Sequence, residues 1–104
     1  MTHVDPELIA QFHMLWDGFP GLARLITTKH EIIAANDIAR KAGFVEGAIC
    51  ARVGAPESHR GCLLNEMVKT GVAQTQMAGT DKVKGWMPVA GHPDLLVHFT
   101  LFMP

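Results

Sequence analysis

The segment from Leu95 to Met103 constrains this chain most. Read at the two-residue period of a strand, it places Leu95, Val97, Phe99 and Leu101 on one side. Leu96, His98, Thr100 and Phe102 fall on the other. Both sides are substantially apolar. A sheet wetted on one face has no use for Leu96 and Phe102 there, so this strand belongs to a sheet covered on both faces.

The rest of the chain supplies the sheet and its covers. Asp5-Pro6-Glu7 opens a helix: a capping side chain, proline at the first helical position, and an acid at the positive helix end. Leu8, Ile9, Phe12, Leu15 and Trp16 follow at helical spacing, and Gly18, Pro20 and Gly21 stop the run. Leu22 to Thr27 and Glu31 to Ala35 are short apolar runs around Thr28-Lys29-His30, which predicts two strands and a tight connection. Asn36 caps a short helix over 37–42 that ends at Gly43. Glycines and prolines through 44–61 predict turns and short helical pieces. A second amphipathic stretch, Leu63 to Thr70, is terminated by Gly71. Val72 to Ala78, Lys82 to Val89 and Leu95 to Met103 are three further strands, with turns at Thr80-Asp81 and Gly91-His92-Pro93-Asp94. The fold class this predicts is α+β: a five-stranded antiparallel sheet with short helices on one face, preceded by an amphipathic helix.

Composition excludes several functions. The chain has 104 residues and is 48% hydrophobic and 18% charged, enough for one core without metal or disulfide support. Nine basic and ten acidic side chains give a net charge of −1, with the basic residues scattered singly, which argues against nucleic acid as a partner. The first residues lack the basic flank and apolar run of a secretory signal, and no segment reaches the roughly 18 apolar residues of a membrane span. The expectation is a cytoplasmic protein whose two cysteines are thiols. No Gly-x-Ser-x-Gly, phosphate-cradling loop or His-Glu-x-x-His is present, and the adjacency of Ser58 and His59 does not make a dyad, so an enzyme is not expected.

The order of elements resembles the PAS family of sensory domains, and particular residues carry the likeness. Leu22 to Thr27 with Glu31 to Asn36 looks like the family's opening hairpin. Asn36-Asp37-Ile38-Ala39 fits its Asn-x-x-Ala pattern, and Gly47-Ala48-Ile49-Cys50 the Gly-x-x-Cys of many bacterial members. Cys62 to Gly71 resembles the helix that ends in Thr-Gly before the third strand. The likeness covers residues 19 to 103, so residues 1–18 are read as a capping and dimerisation helix and 19–104 as the sensory domain. Family members usually feed a kinase, cyclase or regulator. The resemblance therefore implies a signal handed to a separate kinase or regulator protein, or an output part outside this sequence.

The resemblance further implies a cavity between the sheet and the short helices, open to a small-molecule ligand. Its candidate wall is Ile26, Ile38, Phe44, Val53, Met87, Val97 and Phe99. The alternative is that these side chains fill a core, leaving a ligand-free protein-interaction module. A homodimer is expected through Leu8, Phe12, Leu15 and Trp16 of the leading helix, with Leu96 and Phe102 on the outer sheet face. Trp86 is placed on that covered outer face as well.

Cys50, His59 and Cys62 are the one cluster with metal or redox potential, since sulfur and imidazole bind zinc or iron. Three ligands fall short of a closed four-ligand site, and two cysteines exclude a four-cysteine iron–sulfur cluster. A reversible disulfide between Cys50 and Cys62 is the redox form of this alternative. Haem is not supported, because alternation turns His98 away from the cavity and His13 and His59 are poorly placed. Flavin photochemistry of the family's Asn-Cys-Arg-Phe-Leu type is not supported by Cys50-Ala51-Arg52-Val53.

Overall fold

A computed structural model describes residues 3–53 and 62–103. Asp5 accepts a hydrogen bond from the Glu7 amide at 2.9 Å and starts α1, Pro6–Trp16. Strands β1, Leu22–Thr27, and β2, Ile32–Ala35, are followed by α2, Asp37–Lys41, and a 3₁₀ turn, Cys50–Arg52. Helix α3, Leu64–Thr70, leads to β3, Gln74–Ala78, β4, Lys82–Val89, and β5, His92–Phe102. The strands form one antiparallel sheet in the order β2-β1-β5-β4-β3. The α+β class read from the sequence is therefore what the chain adopts.

Local chemistry explains the boundaries. Gly71 adopts a left-handed conformation at φ 69° and its amide closes α3 on the Met67 carbonyl at 2.7 Å. Strand β5 begins three residues earlier than the sequence reading placed it, and the turn shrinks accordingly. Pro93 fits there because the β4–β5 ladder passes from Pro88 opposite Leu96 to Val89 opposite His92, leaving Pro93 in a bulge with no ladder bond to donate.

Asn36 ties the front of the molecule together. Its Oδ1 accepts from the Ala39 amide at 3.0 Å, capping α2, and from the Ala23 amide at 3.2 Å. Its Nδ2 donates to the carbonyls of Gly21, at 2.9 Å, and Trp16, at 3.3 Å. One buried amide thus joins the end of α1, the start of β1 and the start of α2.

The sheet has two covered faces. On the inner face Leu22, Ile26, Trp86 and Leu96 pack with Ala39, Phe44, Cys50, Leu64 and Met67. On the outer face Ala23, Leu25, Leu95 and Val97 meet Phe12, with Leu8, Ile9, Trp16 and Met87 packed around them. The cover of the outer face is α1 of the same chain. Phe12, Leu8 and Trp16, the helix residues expected at a dimer interface, are used inside the chain. Leu15 alone of that set stays largely exposed, at the open edge of the groove it lines with Leu8, Phe12 and Trp16.

The two edges of the sheet differ. Along β2, the Gly47 amide donates to the Ile32 carbonyl and the Ile32 amide to the Ala48 carbonyl, while Glu31 bridges Ile49. At the other side the sheet ends with β3. Among the described residues no helix is long and apolar enough to cross a membrane.

Candidate functional site

Register decides what the inner face carries. Arg24 stands opposite His98 across β1 and β5, and His98 opposite Trp86 across β5 and β4. Residues opposite each other in an antiparallel pair share a face. Since Ile26 faces inward and pairs with Leu96, the whole set Leu96, His98, Thr100 and Phe102 faces inward too.

Three sequence expectations are corrected by this register. Met87, Val97 and Phe99 lie on the outer face against α1, not on the helix-covered wall. Leu96 is completely buried in the inner core, so it forms no outer surface, and Phe102 is a half-exposed inner-face residue. Trp86 and His98 point inward, with rings stacked 4.8 Å apart. Alternation along β5 is as the sequence shows. With both faces apolar, it carries no sign of which one is inner.

The remaining wall residues divide. Ile26 lines a cavity of about 250 Å³ between the sheet and the α3 side, together with His30, Cys50, Cys62, Leu64, Asn65, Trp86 and His98. Phe44 and Val53 line a separate, smaller space. Ile38 is 43% exposed, because Ala39 takes the sheet-facing position of α2 and turns its neighbour to solvent.

The polar groups around the cavity are specific. His98 Nδ1 lies 2.8 Å from the Gly85 carbonyl oxygen, which only accepts, so Nδ1 carries a proton. The Trp86 indole N–H is buried and has no hydrogen-bond partner among the described residues. Such a group costs about 1–3 kcal/mol when left unmade. Arg24, itself buried, donates from Nη2 to Thr100 Oγ1 at 2.9 Å and from Nε to the His98 carbonyl at 3.2 Å. Its Nη1 points at Cys50 Sγ, 4.0 Å away. Burial pushes the Cys50 thiol up, and the charge of Arg24 pulls against that shift. Sequence reasoning missed Arg24 by treating Leu22 to Thr27 as an apolar run. The period that put Ile26 inward puts Arg24 inward as well.

Of the expected metal or redox cluster, Cys50 and Cys62 are free thiols, one buried and one exposed, and both line the cavity. His59 lies outside the described residues. Among the described residues no three His, Cys, Asp or Glu side chains gather as metal ligands. The chain matches no protein-family model and no curated protein.

Proposed function

We propose that this chain is a PAS-type sensory domain that takes a small molecule into its inner cavity and relays occupancy to a partner protein. It performs no chemistry on that molecule. The observation that carries the reading is the cavity over the sheet's inner face, lined by Trp86, whose buried indole N–H lacks a partner among the described residues. A ligand offering an acceptor to that N–H removes a standing cost. The five-stranded antiparallel sheet, the helical stretch on one face and the Asn36 cap on Ala39 are what the family resemblance implies. At about 250 Å³ the space lies just below the usual range for ligand sites, which favours a compact molecule.

The relay has a continuous set of contacts. His98 holds the Gly85 carbonyl, the Phe99 ring lies over Gly85, and Phe99 stacks on Trp16 of α1 at 6.0 Å. Displacement of His98 by a ligand thus reaches the outer helix through three side chains.

The chain has two tryptophans, so Trp16→Phe leaves Trp86 as the sole indole reporter. A thermal-shift screen of small metabolites against this variant tests the reading. A ligand at a hundred times its dissociation constant raises Tm by roughly 10–20 °C for a domain of this size and shifts Trp86 emission. Stabilising ligands that leave Trp86 emission unchanged would sink the cavity assignment. A screen with no stabilising ligand would leave the interaction-module reading in its place.

A second reading follows from Cys50 and Cys62 lining one cavity. In it Cys50, Cys62 and His59 form a redox or metal sensor. Protein prepared with and without oxygen, compared by absorption and metal content, tests it: a visible band or bound metal lost in Cys62→Ser supports it, and a colourless, metal-free protein with both thiols titratable rules it out.

A further inference from the structure

Arg24 is 2% exposed, and none of its hydrogen-bond partners among the described residues is an acid. They are a carbonyl, a hydroxyl and a thiol, with the Phe44 ring 4.4 Å from the guanidinium carbon. These three contacts engage three of the five N–H donors a guanidinium carries. A buried cation is expensive unless something anionic meets it.

The neighbouring rows of the sheet add more positive charge. Leu22 is opposite Thr100, Thr100 opposite Lys84, and Lys82 opposite Phe102. Antiparallel pairing therefore puts Lys84 and Lys82 on the face that carries Arg24, in adjoining rows. A second space, about 170 Å³, opens over these rows. Arg24, Lys82 and Lys84 supply its charge, while Phe44, Val53 and Phe102 supply apolar walls. No described lining residue is acidic. Burial first, then the charges of Lys82 and Arg24, hold the Lys84 ammonium below its usual range. An entering anion reverses that crowding.

We infer that this second space binds a small organic carboxylate, with the carboxylate against Arg24 and Lys84 and the apolar body against Phe44, Val53 and Phe102. The planar guanidinium fork suits a carboxylate, and a bare inorganic anion would leave the apolar walls unused. The inference goes beyond the sensory reading. It concerns a separate space and holds whether or not the Trp86 cavity takes a ligand.

Calorimetric titration of the full chain at constant ionic strength tests it, with benzoate as the probe and benzamide and inorganic phosphate as comparisons. Benzoate binds, benzamide of the same shape does not, and phosphate binds about tenfold more weakly for want of apolar contact. Lys82→Gln and Lys84→Gln change partly exposed side chains outside the apolar core, so both fold, and each lowers benzoate affinity roughly fivefold. Raising the salt concentration weakens benzoate binding. Absence of benzoate binding, equal binding of benzamide, or unchanged affinity in both lysine variants overturns the site. Phosphate binding as tight as benzoate overturns the carboxylate class.

Discussion

Replacing Asn36 by alanine removes four hydrogen bonds in one step: the cap on Ala39, the bond from Ala23, and the two donated to Gly21 and Trp16. Loss of a cap costs about 1 kcal/mol, and buried backbone groups left unpaired add about 1–3 kcal/mol. Asn36→Ala should therefore lower unfolding free energy by about 2–4 kcal/mol in urea, with an unchanged slope. A loss under about 0.5 kcal/mol would mean that the amide does not join the three elements. Cys50 gives a pH dependence. Burial raises its folded thiol above the unfolded value of about 8.5, so the stabilisation is complete below that pH and is lost as pH rises toward the folded value. Lys84, lowered when folded, acts with the opposite sign: its contribution is present above the unfolded value and lost as pH falls through the folded one. Stability measured from pH 7 to 10 should fall less steeply in Cys50→Ala than in the unaltered chain, and parallel curves would contradict the assignment.

Among the elements, β4 and β5 show how one position without a side chain organises a face. A Cβ on Gly85 would meet the Phe99 ring, which fills the space above that residue. Phe99 is held there edge-on to Phe19 at 5.5 Å and stacked on Trp16 at 6.0 Å. Gly85→Ala must push this ring aside, at a cost of about 1–3 kcal/mol for overpacking, and α1 loosens with it. Hydrogen exchange should rise in the last turn of α1 more than in α3, whereas equal rises would separate the two effects. Element order, the Asn36 cap and the Gly71 stop were legible because each depends on local chemistry within a few residues. Which side of β5 faces inward was not legible, because Leu95, Val97 and Phe99 are as apolar as Leu96 and Phe102. Pairing of Ile26 with Leu96 settles it, and that is a contact across 70 positions of sequence. The same long-range fact moved Trp86, His98 and the candidate wall residues Met87, Val97 and Phe99 between faces.

For the molecule as a whole, the double cover demanded by β5 is met within one chain, by α1 outside and by α2, residues 44–53 and α3 inside. The inner side is where Arg24, Lys82, Lys84, His98 and both cysteines converge, while the outer side is packed mainly with aliphatic and aromatic side chains. The sequence shows Arg24, Lys82, Lys84 and His98 only as isolated interruptions of apolar runs. Their convergence comes from strand pairing between segments far apart in the chain.

The unequal edges limit how copies of this protein can add to one another. Residues 47–50 pair with His30, Glu31 and Ile32 at the start of the β2 rim, whereas β3 borders no further strand among the described residues. Chains that join by strand addition at the β3 rim stop at a pair, since each partner has then consumed that donor row. Growth into a ribbon needs two open rims, and this fold obstructs the start of the β2 rim with its own backbone.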